Sequence, residues 1–352
     1  MKLPLRSFAF LPRSFVGVDI GTSAIKIVEL SRWGDRKSLK NYGEIQVSAL
    51  YEQSFRTFEK NALLLSSSDI ARSIRAILLE SKISTKAAVF SLPDFSSFFM
   101  HFQLPSMSRE ELPQAVQFEA RKYVPLPLSE VIFDWQIIEQ KPQPKSPLHI
   151  LSVAVPREVV SQYEEIAGLA GLELHAIEAE VFGCIRALVQ DMEPVIVMDI
   201  GAQSTTVNVV WKKALRTSHS LDIAGINFTE RLSQSFSVDR SKAEDLKRSV
   251  GLQNPEYEGV LAPLLDMLFS RVQKIAQDFH LKENKDIEKI ILAGGSALIP
   301  GLSQYVERTL HKRVEIANPF QHLFYPPILE DALQQKGPSY TVAVGMALRG
   351  LE

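Results

Sequence analysis

Residues 16–30 read VGVDIGTSAIKIVEL. An apolar run leads into Asp19, Gly21 allows a tight turn, Thr22 and Ser23 add hydroxyls, and an alternating run leaves through Ile25, Ile27 and Leu30. The pattern predicts strand, turn, strand. The tip of such a hairpin presents successive backbone N–H groups. Flanked here by hydroxyls, a carboxylate and Lys26, it suits the phosphate tail of a nucleotide with its metal.

Residues 195–211, VIVMDIGAQSTTVNVVW, repeat this stretch. Aligning Asp19 with Asp199 also aligns Ile20 with Ile200 and Gly21 with Gly201, so the hairpin is internally duplicated and two similar lobes are expected. One Asp-x-Gly turn is weak evidence for a nucleotide, because such turns are common. The second copy strengthens it, as does a glycine turn at Gly294, Gly295 and Ser296 directly after the apolar strand at 287–293. The first turn offers N–H groups, the hydroxyls of Thr22 and Ser23, and Lys26 towards the β- or γ-phosphate. The second offers Gly201, Ser204 and Thr205. Asp19 and Asp199 are placed to hold magnesium through its waters, since that ion keeps much of its hydration shell. Gly294 and Gly295 let an adenosine lie against backbone at a helix start. Lys26 also has a plain reading as a solvated strand lysine; its offset after Asp19 favours the phosphate role.

The rest of the composition sets bounds. A chain of 352 residues, 45% apolar, predicts two or three subdomains of α/β proportions. Lys and Arg total 39 against 41 for Asp and Glu, and the net charge of −2 gives no field that would select nucleic acid. Cys184 is the only cysteine and sits in an apolar helical run, which excludes an intrachain disulfide and a cysteine-rich metal site. The histidines show no ligand spacing. No segment approaches the roughly 20 uninterrupted apolar residues of a spanning helix, so no membrane span is expected. Residues 1–14 carry Lys2, Arg6 and Arg13 without an acid, with Pro4 and Pro12 breaking an apolar core too short for a signal peptide. They read either as a weak membrane-surface or partner-binding arm or as a frayed or packed extension.

Outward from the hairpin, 32–37 reads as a charged turn around Gly34 and 45–47 as a further strand. Ser68 reads as an N-cap ahead of Ile70, Ile74, Ile77 and Leu78, and 87–92 as a buried strand closed by Pro93. The order then becomes strand (98–104), helix (108–123), strand (131–138) and strand (149–155). The helix start lies anywhere from Ser108 to Leu112, because Ser108 and Glu111 form a capping-box pattern while Pro113 belongs in a first turn. Phe95, Phe98, Phe99 and Phe102 mix strand parity and read as core. QKPQPKSP at 140–147 reads as a mobile loop. Helix 158–169, strand 172–177 and helix 179–191 lead to the second hairpin. After it come a strand at 216–221 and helices at 226–235, 241–250, 257–281, 301–310 and 340–349, with Ser241 and Glu244 as a capping box. The predicted division is a first lobe at 1–94, an inserted small subdomain at 95–170, a connecting strand and helix at 171–194, a second lobe at 195–325, and a return to the first lobe at 326–352.

These residues resemble the actin-like ATPase superfamily, whose two phosphate motifs and adenosine motif occur in this order, and within it the FtsA-like PilM family of type IV pilus assembly. The resemblance covers nearly the whole chain. It rests on VDIGTSAIKIVEL, EARKYVPLPLSEVIFDWQI (119–137), VIVMDIGAQSTTV, ILAGGSALIPGL (291–302) and the NPF at Asn318. It implies an α/β, two-lobed actin-like fold of duplicated sheet-plus-helices lobes, with a strand-helix-strand-strand subdomain inserted. It also implies ATP and Mg2+ as ligands, with Gly21, Thr22, Ser23, Lys26, Gly201, Ser204 and Thr205 on phosphate and Asp19 and Asp199 on the metal. Gly294, Gly295 and Ser296 would meet the adenosine. Glu244 and Lys247, an AE-x-x-K pattern, would flank purine and ribose, beside Gly225 and Asn227. Glu180 is the candidate for positioning an attacking water, with Asp199 the other catalytic candidate. Glu180 at a helix start has its plainer reading as a dipole partner, and Glu244 reads fully as a capping residue, so its ribose role rests on the resemblance alone. Ala202 and Gln203 depart from the Gly-Gly-Gly or Gly-x-Gly of active hydrolases, which implies slow hydrolysis or none.

By the same resemblance the chain is a cytoplasmic scaffold recruited to the inner face of the inner membrane. It would capture the N-terminal peptide of a PilN-like membrane protein in a groove between the first lobe and the inserted subdomain, among other pilus assembly components. Self-association is left open. The alternatives are an active actin-like ATPase or sugar-type kinase, for which no acceptor-facing Asp stands out, and an FtsA-like polymerising filament protein, whose C-terminal amphipathic anchor has no counterpart after Leu351 and Glu352.

Overall fold

The computed structural model describes residues 13–46, 58–59, 62–63, 65–140 and 146–352. The N-terminal arm up to residue 12 and residues 141–145 of the proline-containing loop lie outside the described residues. Strand β1 (Arg13–Ile20) turns into β2 (Ala24–Trp33) with Asp19 opposite Lys26. A tight turn at Gly34 then opens β3 (Arg36–Gln46). The charged turn expected at 32–37 therefore shrinks to its centre, and the strand placed at 45–47 starts nine positions earlier, at Arg36. As the sheet edge, β3 leaves most side chains partly exposed, which accommodates the polar run Lys37, Lys40 and Asn41.

A short ladder pairs β4 (Phe58–Glu59) with β5 (Ala62–Leu63). Helix α1 (Ser67–Glu80) is capped by Ser66, not Ser68: the Ser66 hydroxyl accepts from the Asp69 N–H at 3.2 Å. Next come β6 (Ala87–Leu92), β7 (Phe98–Leu104), α2 (Leu112–Ala120), β8 (Val131–Gln140), β9 (Leu148–Pro156), α3 (Arg157–Ala170), β10 (Glu173–Ala179) and α4 (Glu180–Leu188). The second half holds β11 (Val195–Ile200), β12 (Thr205–Trp211), β13 (Ala214–Leu221), α5 (Gly225–Phe236), α6 (Arg240–Ser249), α7 (Pro255–Glu283), β14 (Lys289–Ala293), α8 (Leu302–Leu310), β15 (Arg313–Ile316) and α9 (Glu330–Gly350).

The duplication read from the hairpins extends to whole sheets. One has the order β3-β2-β1-β6-β10 and the other β13-β12-β11-β14-β15. Each is a three-stranded antiparallel meander continued by two parallel strands. The first sheet buries Val16, Val18 and Ile20 against the stripe Ile70, Ile74 and Ile77 of α1, joined by Tyr163, Ile166 and Ala170 of α3. The second buries Ile196, Met198 and Ile200 against Phe228 of α5 and Leu265, Phe269 and Val272 of α7.

Strands β7, β9 and β8 form a separate antiparallel sheet in that order, and α2 covers it, so the strand-helix-strand-strand order holds. Helix α2 begins at the late end of its expected range. Ser108 and Glu111 do exchange capping bonds, at 3.0 and 3.3 Å, but they close a turn ahead of the helix, whose first turn takes Pro113. The mixed parity of the phenylalanines reflects contacts on both faces of the strand. Met100, Phe102 and Leu104 pack towards α2, whereas Phe99 meets Phe182 of α4 edge-to-face at 6.0 Å, and the Nε2 of His101 lies 2.9 Å from the carbonyl oxygen of Leu215 in β13.

Helices α4 and α9 cross between the lobes. A Cβ on Gly345 would lie 2.1 Å from the carbonyl oxygen of Gly183, so glycine is required for so close a crossing. The final helix starts at Glu330, before the expected Tyr340, and holds Pro338 inside it; the Pro338 carbonyl accepts the Gly294 N–H at 2.9 Å. Among the described residues no helix is long and apolar enough to cross a membrane.

Candidate functional site

The strand order brings the predicted turns to facing sheet edges. The β1–β2 hairpin tip and the C-terminal ends of β6 and β10 lie along one edge of the first sheet; the β11–β12 tip and the end of β14 lie along the matching edge of the second. Ligand sites of open α/β sheets form at such carboxyl ends. The two turns close alike, with the Gly21 N–H donating to the Ala24 carbonyl and the Gly201 N–H to the Ser204 carbonyl, each at 3.0 Å. Thr22 and Ser23 complete the first tip.

Carboxylates converge between these edges. Asp19 is 4% exposed; its Oδ1 accepts from the Ser91 hydroxyl at 3.1 Å and its Oδ2 lies 3.9 Å from the Lys26 ammonium. Burial raises its pKa, against Lys26 and the Ser91 bond, which lower it. Asp199 rises to about 6 by burial, opposed by Lys26 and reinforced by Asp19. Glu180 opens α4 and lies well above the usual carboxylate range, through burial and the nearby Asp94, Asp19 and Asp199. Burial and the same acidic neighbours push the Cys184 thiol up as well, 3.9 Å from Asp199.

Asp94 escaped the sequence reading. It follows Pro93 at the end of β6, where a lone Leu-Pro-Asp reads as a strand stop. Its Oδ1 accepts the Val181 N–H at 3.1 Å, capping α4, and its own N–H donates to Glu180 Oε2 at 3.4 Å. Burial, opposed by the Val181 bond and reinforced by Asp199, pushes Asp94 up to about 7. Only the contact with residues 86 and 87 positions along the chain reveals it.

The second lobe gathers its candidates on the other side. The Gly225 N–H donates to the Gly201 carbonyl at 3.0 Å, and the Ser296 hydroxyl donates to that same carbonyl at 3.3 Å. A Cβ on Gly225 would sit 2.5 Å from Ser296 Oγ and 3.5 Å from Lys247 Nζ, so the three are contiguous. Lys247 donates to the Gly225 carbonyl at 3.0 Å and pairs with Glu244 at 2.6 Å; Thr229 joins both. The Asn227 side chain accepts the Ala224 N–H at 2.9 Å and so caps α5. Gly294 has φ +85°, and a Cβ there would lie 2.3 Å from Asp199 Oδ1, whereas Gly295 faces open space.

Two expectations change. The cap of α6 is Asp239, which accepts the Lys242 N–H at 2.8 Å, so Ser241 and Glu244 lie inside the helix and form no capping box. Glu244 instead receives Lys247, Thr229 and Arg248. Thr205 is fully buried and its hydroxyl donates to the Ile223 carbonyl at 2.6 Å, so that hydroxyl holds the backbone together and is not available to a phosphate.

Among the described residues no three His, Cys, Asp or Glu side chains stand close enough to cage a metal directly. A spread set of carboxylates with one orphaned buried oxygen, Asp94 Oδ2, fits a cation that keeps its water shell.

Known proteins share this arrangement. A chain of the solved PilM-PilN type IV pilus biogenesis complex superposes with TM-score 0.84 at 26% identity, over 96% of this chain and 98% of that one. MreB 5 of Spiroplasma citri, solved bound to AMPPNP, shares the fold at TM-score 0.54 and 13% identity, over 96% of this chain and 95% of its own. The cell division protein FtsA of Streptococcus pneumoniae is 23% identical over 193 residues, a match that spans 47% of this chain and 42% of that relative. The family model for the type IV pilus assembly protein PilM matches residues 17–351, from β1 to the end of the last helix. With both hairpins, the inserted subdomain and the glycine turn inside that span, the chain belongs to the PilM family of type IV pilus assembly proteins.

Proposed function

We propose that the chain is an ATP-binding scaffold of type IV pilus assembly that captures the N-terminal peptide of a PilN-like inner-membrane protein and hydrolyses ATP slowly or not at all. The observation that carries this reading is the convergence of Lys26, Asp19 and Asp199 with the Gly225, Ser296 and Lys247 group between two sheets of matching order. MreB 5, of the same fold, was solved with AMPPNP, and a PilM-PilN complex is known; both support the assignment. Lys26 and the turns at 21–23 and 201–204 would take the phosphates. Asp19 and Asp199 would hold Mg2+ through water, and that ion would neutralise the phosphate charge.

Burial and the nearby Asp94, Asp19 and Asp199 raise Glu180, the candidate for aligning water, and so work against its acting as a base, which fits slow hydrolysis.

For the peptide, exposed aromatics favour the inserted subdomain. Phe118, in the last turn of α2, is 67% exposed and Tyr123, in the run RKYVPLPL that follows, is 52% exposed and stacks on Phe102 at 6.1 Å. Recruitment by that partner would bring the chain to the cytoplasmic face of the inner membrane. A pulldown with a PilN N-terminal peptide, with and without ATP and Mg2+, tests the reading. Capture that increases with ATP is expected; equal and negligible capture in both would overturn it.

A further inference from the structure

Asp94 joins two parts of the fold. Its Oδ1 caps α4 through the Val181 N–H, and its backbone N–H binds Glu180. Its Oδ2 has no hydrogen-bond partner, although the residue is 5% exposed. A cap needs one acceptor oxygen, which an asparagine would supply as well. A second carboxylate oxygen left buried and bare is costly, so the cap alone does not account for it. The groups that act on it electrostatically, Glu180 and Asp199, are acids, and neither hydrogen-bonds Oδ2.

We propose that Asp94 Oδ2 accepts from a water bound to the nucleotide's cation, and that this contact ties cation loading to the inserted subdomain. The proposal rests on the nucleotide reading above. Asp94 opens a single helical turn (Asp94–Ser96) stiffened by the Ser96 hydroxyl on the Pro93 carbonyl at 2.8 Å, and β7 starts two residues after that turn, at Phe98. Strand β7 in turn reaches the second lobe through His101 and Leu215. A pull on Asp94 therefore acts on the start of the strand that spans subdomain and second lobe.

The test titrates the full chain with a fluorescent N-methylanthraniloyl ATP, once with Mg2+ and once with EDTA, for wild type and Asp94→Asn. The variant keeps an acceptor for Val181 and loses the charge; thermal melting checks its folding. Its affinity in Mg2+ is expected to fall about tenfold, the size typical of a lost outer-shell metal partner, with the EDTA affinity unchanged. Hydrogen exchange of 98–104 in the wild type, compared between ATP with Mg2+ and ATP with EDTA, gives a readout that needs no variant, and added protection with Mg2+ is expected. The same Mg2+ to EDTA affinity ratio in variant and wild type overturns the cation contact, and unchanged exchange overturns the coupling; both leave nucleotide binding standing. Absence of binding by the wild type in both buffers overturns the nucleotide reading and this proposal with it.

Discussion

The two lobes repeat one scaffold and divide the chemistry. Continuing the parallel register of β1 with β6, Asp19 lies level with Ser91, while Asp199 is paired directly with Ala293. Three residues further on stand Asp94 in the first lobe and Ser296 in the second. Across the hairpins, Asp19 faces Lys26 and Asp199 faces Thr206. At two of these places, Lys26 and Asp94, the first lobe therefore puts a titratable group where the second puts a neutral one; at the third, Ser91 stands where the second has Ala293. The second has its own charges, Glu244 and Lys247, which it closes into a pair at 2.6 Å. Duplication preserves strand order because the cores demand it; the edge residues carry no such demand and are free to diverge.

The sharpest break in this comparison comes from replacing Asp94 by serine, the second lobe's residue. A carboxyl raised from 3.8 to about 7 favours its protonated form in the folded state. Its stabilisation is complete below 3.8 and is lost as pH rises through about 7, a span worth up to about 4 kcal/mol that the clustered acids share. Chemical denaturation in EDTA should show wild-type stability declining across that window. Asp94→Ser should lessen the slope by about one proton. An unchanged slope would mean that Asp94 is ionised throughout.

Next in size is Gly294→Ala. The position has φ +85° and a Cβ would meet Asp199 Oδ1 at 2.3 Å and the Ile200 carbonyl at 2.5 Å, whereas the first lobe carries Leu92 at the matching place. A loss of about 3 kcal/mol is expected from the clash and the backbone together. Gly295→Ala, with open space around it, should shift stability by less than about 0.5 kcal/mol. Thermal melting of both separates a backbone requirement from mere proximity to the cleft.

These contrasts bear on what could be read before any coordinates. Both hairpins and the strand-helix-strand-strand order were legible, since each rests on local periodicity between turn residues. Caps were not. Around α1 the run Ser66, Ser67, Ser68 and Asp69, and around α6 the run Asp239, Arg240 and Ser241, offer several competent residues in a row, and tertiary placement chooses among them. Edge strand β3 was hidden by its polar side chains, and the first turns of α9 by Pro338 and a solvated face. Asp94 was out of reach for a different reason: its partners are Glu180 and Val181, and no local pattern marks such a contact.

Removal of the first lobe's cation should come third. Lys26→Ala is expected to weaken ATP affinity by about 2 kcal/mol, roughly thirtyfold, the cost of a charge-assisted phosphate contact. Thr206→Ala, at the register-matched place opposite Asp199, should change affinity by less than about threefold. Isothermal titration with ATP and Mg2+ measures both. Equal losses would mean that the lobes grip phosphate alike and that the asymmetry of charge is incidental.

The smallest effect tests the second lobe's closed pair. Burial alone would raise Glu244, but Lys247's charge and bonds from Lys247, Thr229 and Arg248 outweigh it and hold the carboxyl at about 2. Its folded pKa lies below the ordinary 4.5, so the stabilisation is full above 4.5 and disappears as pH falls towards 2. The Glu244 side chain is 31% exposed, and solvent screening reduces the contribution to about 1 kcal/mol. Glu244→Gln should remove that acid-side decline and leave the decline above pH 4 untouched, as Asp94→Ser should do in reverse. Two substitutions, one per lobe, would thus flatten opposite limbs of a single stability profile. If Glu244→Gln altered the upper limb instead, the pair would be electrically joined to the carboxylate cluster, and the lobes would share one charge system where the geometry separates two.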